Sequence, residues 1–277
     1  MFMQIAGKIN QPRRRQNRLS LLTMCKRWQF ALMLALLPAL SVAEDLTGIF
    51  ASGKAPYLWA EDSDIRGAEL DIVGAVLRRA GFEVQARAMS NNRLLATFAG
   101  SDADFAAGLQ PADLPLYCHT AIYMSYHNVA ITKRSRHIAL DSIAGLLGHK
   151  VAIRQYLYQD LGLDRGRGGM PASLPGDFTE FTSQDQQVRF FFADRADVII
   201  LDRTIFEWYA KRLGLLKSRD AIEIHDLFPE RHGVRAVFKD ERKCAQFDRD
   251  LAAIVADGTY RSIWKSYDVE GTADPLR

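Results

Sequence analysis

Asp202 stands at the carboxyl end of the apolar run VIIL and directly before RTIFEWYAKR, which offers its carboxylate two uses. Buried at a strand end it needs a partner, and a cationic ligand group would supply one; at the head of a helix it is a good N-cap, accepting from backbone N–H groups. The two uses are compatible. Glu69, Asp71 and His119 add acid–base types, but no spacing among them and Asp202 identifies a general acid and base. Gln110 carries an amide that could serve a polar ligand. The six histidines, at 119, 127, 137, 149, 225 and 232, show no i, i+4 pairing, and apart from the adjacent Cys118 and His119 none lies near a cysteine pair. That is not a zinc pattern, and neither a metal nor a cofactor is expected.

A chain of 277 residues, 48% apolar and 25% charged, can bury a full core in one or two domains, which excludes disorder, collagen-like repeats and a minimal disulfide scaffold. Its formal charge of +3 misleads. Residues 1–43 hold seven basic residues and no acid; taken from 36, these leave 29 basic against 33 acidic groups, a formal −4, so no counterion-release argument for a nucleic-acid partner survives. The basic stretch leads into FALMLALLPALSVAED, apolar from Phe30 to Leu40 and ending in small residues. This is the pattern of a secretory signal peptide over residues 1–43, cut before Glu44, with Met24 offering a second start and a leader of more ordinary length. About eleven apolar residues, interrupted by Pro38, are too few to span hydrocarbon, so a retained anchor is the weaker reading. The expected product is a soluble, exported, periplasmic protein and a monomer. Export makes Cys118 and Cys244 candidates for one disulfide; two separate buried thiols are the alternative.

The elements that must position these residues alternate. ELDIVGAVLRRA, residues 69–80, reads as a helix with Leu70, Val73 and Leu77 on one face and Gly81 past its end. FEVQARA alternates as a half-buried strand, NRLLATFAG reads as helix, and ADFAAGL as a buried parallel strand. The rhythm recurs: GHKVAI strand, SQDQQVRFFFAD helix, ADVIIL strand, DRTIFEWYAKRLG helix closed by Gly214, GVRAVF strand, and a last helix with Phe247, Leu251 and Ile254 or Val255 on one stripe. GRGGMPASLPGDF, residues 166–178, reads as a surface loop. Repeated helix–strand units imply an α/β architecture with largely parallel sheets in two lobes.

The order and spacing of these pieces resemble the type II periplasmic solute-binding proteins, family 3, whose best-known members bind polar amino acids for ABC importers. RGAELDIVGAVLRRAG is similar to the family's helix opening, keeping Gly67 and Asp71 with Glu69 at the first acidic place; SDADFAAG, TAIYMSYHNVAIT, GHKVAI, DRADVIILD and ADGTYRSIWKSYD follow in register. The resemblance covers nearly all of the mature chain. It implies a clamshell with lobe one over residues 44–130 plus 229–277 and lobe two over 131–228, two mixed, mainly parallel sheets, and a ligand held at strand ends between them.

The resemblance also assigns site residues. Asp202 matches the position that meets a ligand ammonium, and Tyr57 and Trp59 fall where the family places an aromatic wall. Tyr123 lines the hinge, and Tyr156, with Tyr158, occupies a loop where small hydroxyl residues usually present backbone N–H groups to a carboxylate. The family's carboxylate-gripping arginine is missing from GLQPADLPLYCHT, where Leu114 and Pro115 stand nearest. Either another cation replaces it or the ligand lacks that group; Arg154 after KVAI is the best replacement, ahead of Arg203, and its alternative is an exposed residue at a helix start. The cleft therefore reads as more aromatic and less cationic than an ordinary amino-acid site. His119 reads as structural or surface. The implied function is binding of a small polar, amino-acid-like solute for an ABC permease or a membrane receptor. The competing functions are a periplasmic dehydratase-type lyase on the same fold and a degenerate module acting through protein contacts.

Overall fold

The computed structural model describes residues 44–61, 64–110, 113–154, 157, 177–228 and 231–267. The expected leader, Tyr156, Tyr158 and most of the 166–178 loop lie outside the described residues. The first half runs β1 (Glu44–Ala51), β2 (Trp59–Glu61), β3 (Asp64–Arg66), α1 (Ala68–Arg79), β4 (Phe82–Met89), α2 (Asn91–Thr97), β5 (Phe105–Leu109), β6 (Cys118–His119) and β7 (Met124–Tyr126). Then come β8 (Asn128–Lys133), β9 (Lys150–Arg154), β10 (Asp177–Phe181), α3 (Gln184–Phe192), β11 (Val198–Asp202), α4 (Arg203–Arg212), β12 (Ile222–His225), β13 (His232–Phe238), α5 (Glu241–Ala256) and α6 (Thr259–Ser266).

Two sheets organise these elements. The first has the order β4-β1-β5-β13-β6, with β7 also on β13; β4, β1 and β5 are parallel and β13 runs against them. The second has the order β10-β9-β11-β8-β12, parallel across β10, β9 and β11 and antiparallel beyond. Each sheet thus joins a parallel half to an antiparallel half. The chain passes from the first sheet to the second at His127, between β7 and β8, and returns between β12 and β13.

Burial on both faces explains the apolar runs that alternation could not. In β11, Val198 and Ile200 pack with Leu146, Val151 and Ile153 on one face, while Ile199 and Leu201 join the main core on the other. In β1, Ile49 and Ala51 face Leu94 and Phe98, while Leu46 and Phe50 face the α1 side. A strand covered on both faces needs no polar side, which is why ADFAAGL and ADVIIL lack one. β4, at the sheet edge, keeps the half-buried alternation read from its sequence.

Two details depart from the sequence reading. The buried face of α1 centres on Ile72, Val73, Val76 and Leu77, and Leu70 is only half-buried, so the helix is turned so that Glu69 points inward. Asp177 and Phe178, read as loop, open β10, because pairing with β9 supplies an edge that a Gly- and Pro-rich flank conceals.

The start of α1 is sutured to the turn before β2: Ala68 N donates to Pro56 O at 3.0 Å and Glu69 N to Tyr57 O at 2.9 Å. Gly67, with φ +142°, permits this approach, since a Cβ there would overlap the Tyr57 carbonyl. Gly67→Ala is therefore expected to destabilise the protein by about 3 kcal/mol, from backbone strain plus steric overlap, read as a lowered urea midpoint at unchanged m. Cys118 on β6 and Cys244 on α5 are joined by a disulfide with Cα atoms 6.2 Å apart.

Candidate functional site

A cavity of about 120 Å³ opens where the ends of the two sheets meet. One ordered water needs roughly 10–15 Å³ by the same measure, so the space admits a small solute rather than a single solvent molecule. Topology decides who lines it. In the first sheet the parallel strands β1, β4 and β5 all end at this edge, and the residues just beyond them, Lys54, Asn91 and Gln110, face the cavity. β13 is antiparallel, so its first residue, His232, arrives at the same edge, paired with Tyr126 at the end of β7. In the second sheet Arg154 ends β9, Asp202 ends β11, and Asn128, opposite Asp202 in register, begins β8. Gln184 and Ile205 come from the first turns of α3 and α4. Open α/β sheets present ligands with this edge.

Three of the residues singled out from the sequence, Gln110, Arg154 and Asp202, meet in this wall. Asp202 is 3% exposed and is also the N-cap of α4: its Oδ1 accepts from Ile205 N at 2.9 Å and its Oδ2 from His127 N at 2.7 Å. Burial pushes its carboxyl up to about 6, against those two N–H groups and the Tyr57 hydroxyl, which pull it down. Tyr57 stands behind it, buried, with Oη 3.2 Å from Oδ1. Its hydroxyl faces Asp202, and it is not among the residues lining the cavity.

Tyr123 is likewise a second-layer residue. Fully buried, it donates from Oη to Glu69 Oε1 at 2.5 Å and accepts from Gly108 N at 2.8 Å. Gly108 lines the cavity with φ +82°, and a Cβ there would sit 2.9 Å from Glu69 Oε1. Glu69 therefore lies immediately behind the cavity wall, 0% exposed, and its Oε2 has no hydrogen-bond partner among the described residues. Burial pushes the Glu69 carboxyl up to about 7, opposed by the Tyr123 hydrogen bond and the charge of Lys54.

Trp59 packs beside the cavity, not within it: its ring centroid is 5.4 Å from Trp208 of α4 and 6.2 Å from Tyr267. Two residues on, Glu61 pairs with Arg212 of the same helix at 3.1 Å. Tyr57, Trp59 and Glu61 thus meet, in turn, Asp202 at the head of α4 and Trp208 and Arg212 within it. The other acid–base types are dispersed: Asp71 accepts from Tyr267 Oη at 2.6 Å on the surface, and His119 Nε2 lies 3.3 Å from Leu114 O. Among the described residues no group of three or more His, Cys, Asp or Glu could hold a metal ion.

The wall corrects the expectation of an aromatic, cation-poor cleft. Tyr126 is the aromatic among its lining residues, and Lys54 joins Arg154 as a second cation. Lys54 escaped the sequence reading; it stands three residues beyond β1, in the turn that follows it. Asn91, Asn128 and Gln184 also went unnoticed. Gln184 is 5% exposed and its Oε1 has no hydrogen-bond partner among the described residues, so the wall presents a buried acceptor lacking a donor.

No protein-family model matches the sequence, and no curated protein matches it. Solved structures do. A histidine kinase sensor domain with similarity to periplasmic binding proteins superposes at a TM-score of 0.62 with 14% identity, over 82% of this chain and 96% of that one. A histidine-bound ABC uptake transporter substrate-binding protein from Streptococcus pneumoniae gives 0.62 and 14%, over 83% and 94%. The arginine-, lysine-, histidine-binding protein of Geobacillus stearothermophilus gives 0.61 and 17%, over 84% and 99%. These likenesses show the fold: a two-lobed α/β architecture similar to that of periplasmic binding proteins.

Proposed function

We propose that this protein binds a small, polar, amino-acid-like solute in the cleft between its two lobes, outside the cytoplasm, and hands the bound state to an ABC permease or a membrane receptor. On this reading residues 1–43 direct export, lobe one comprises residues 44–126 with the C-terminal segment from β13 onward, and the crossings at His127 and between β12 and β13 are the hinge. The carrying observation is the cavity itself: polar groups from both sheets converge on it, and one of them, Gln184 Oε1, is a buried acceptor awaiting a donor. A ligand ammonium supplies that donor and a charge for Asp202; Arg154 supplies a guanidinium fork for a carboxylate. The solved neighbours support binding over catalysis, and they include both transporter subunits and a sensor domain.

Thermal-shift screening against amino acids, opines, polyamines and aromatic acids tests the reading, because a solute bound only by the native state raises the melting temperature. At least one amine-bearing solute is expected to do so, and Asp202→Asn, which keeps an oxygen for the Ile205 N–H, is expected to abolish the shift while the free protein still melts cooperatively. An undiminished shift in that variant would remove Asp202 from the site. Silence across the panel would favour a module that acts through protein contacts.

A further inference from the structure

We infer that the β2–β3 hairpin is a built-in latch, which holds the two lobes in the arrangement described above before any solute binds. The hairpin belongs to the first lobe. Its strands pair Trp59 with Arg66 and Glu61 with Asp64, and the residues flanking it are tied together at the start of α1, where Ala68 N donates to Pro56 O and Glu69 N to Tyr57 O. The Trp59 ring also packs against Tyr267, whose hydroxyl donates to Asp71 of α1 at 2.6 Å. A segment anchored in this way moves with the first lobe. α4 is anchored as firmly to the second: Asp202, at the end of β11, caps it, and Phe206 stacks on Phe192 of α3 with ring centroids 5.9 Å apart.

Three contacts of different kinds join these two anchored elements. Tyr57 Oη donates to Asp202 Oδ1 in a buried bond of 3.2 Å, Trp59 meets Trp208 with centroids 5.4 Å apart, and Glu61 pairs with Arg212 at 3.1 Å. The last two are linked, since the Arg212 guanidinium also lies 5.1 Å from the Trp208 ring centroid. The ion pair is half-exposed and weak by itself, so the aromatic contact and the buried hydroxyl bond carry most of the hold. Each of the three is made by the chain's own side chains, with no solute taking part. Each therefore favours the arrangement in which both sheets line the cavity over any in which the lobes have separated. A partner that reads lobe position meets part of the population already in this arrangement, and a solute meets a preformed wall.

Small-angle X-ray scattering decides it without any knowledge of the solute. The mature chain, refolded from denaturant to remove any co-purified solute, is expected to give the compact profile of the structure. Trp208→Ala, which removes the aromatic partner from a half-buried helix position, and Arg212→Glu, which sets like charges against each other, are each expected to raise the radius of gyration. Glu61→Arg combined with Arg212→Glu restores opposite charges and is expected to recover part of the second shift, an effect that a merely local role for Arg212 would not produce. Cooperative melting of each variant confirms that it is folded. A solute-free wild type more extended than the structure, a radius unmoved by both single variants, or a shift that the charge swap does not reduce would overturn the latch. Any of these leaves the cleft-binding reading standing, just as silence in the solute screen leaves the latch standing.

Discussion

Replacing Cys118 and Cys244 together by serine is expected to destabilise the protein by about 4–5 kcal/mol, an effect that leaves the cavity untouched. The bond spans 126 positions of sequence, and loop-closure entropy grows with the logarithm of that span, so the reduced unfolded chain regains nearly as much freedom as one cross-link can remove. For a domain of this size each kcal/mol moves the melting temperature by about 2–4 °C, which places the variant roughly 10–15 °C lower. Cys244 is 1% exposed but Cys118 is only partly buried, so strong reductant should reach the bond from the Cys118 side. Thermal melts with and without reductant check this directly. A reductant-insensitive wild type would return the two residues to separate buried thiols.

Glu69→Gln should remove a pH dependence of similar scale. The folded pKa of Glu69 lies near 7, above its ordinary value of 4.5, so the folded state holds this proton more tightly than the unfolded chain does. Its contribution to stability is therefore complete below about pH 4.5 and is lost as pH rises through 7. Each pKa unit is worth about 1.4 kcal/mol, so the loss across this window approaches 3 kcal/mol. Asp202, raised to about 6, adds a loss of the same sign over a lower window. Urea denaturation at pH 4.5, 6 and 8 should show the wild type losing more stability with rising pH than Glu69→Gln, by about 3 kcal/mol. Parallel curves for the two proteins would mean that Glu69 is ionised in the native state.

Much of the fold was legible because strand and helix periodicities are local. ADFAAGL, GHKVAI, ADVIIL and GVRAVF became β5, β9, β11 and β13, and the four longest helical patterns became α1, α3, α4 and α5. What periodicity leaves undetermined is rotation about an axis: α1 turned its Ile72 and Val76 stripe inward, and that rotation buries Glu69. The site was less legible for a topological reason. Which residues share a wall depends on which strand ends are neighbours, and the order β4-β1-β5-β13 brings Asn91, Lys54, Gln110 and His232 together from four distant stretches. Gln110, Arg154 and Asp202 were legible as candidates because each directly follows or ends an obvious strand, and all three line the cavity. Lys54 was passed over because the aromatic residues three and five positions later drew the reading toward an aromatic wall. The hydroxyls of Tyr57 and Tyr123 face Asp202 and Glu69, an orientation that only three-dimensional packing decides.

Binding between the two halves is tested most directly by closing the cavity with a side chain. Asn91 lines the cavity yet is solvent-exposed at the start of α2, so Asn91→Trp introduces bulk at the mouth without burying a misfit in the core. Titration of the wild type with its best solute should give one molecule bound per chain, and Asn91→Trp should lose that binding while its solute-free melting temperature stays within a few degrees. Full-affinity binding in the blocked variant would place the solute elsewhere and contradict the account.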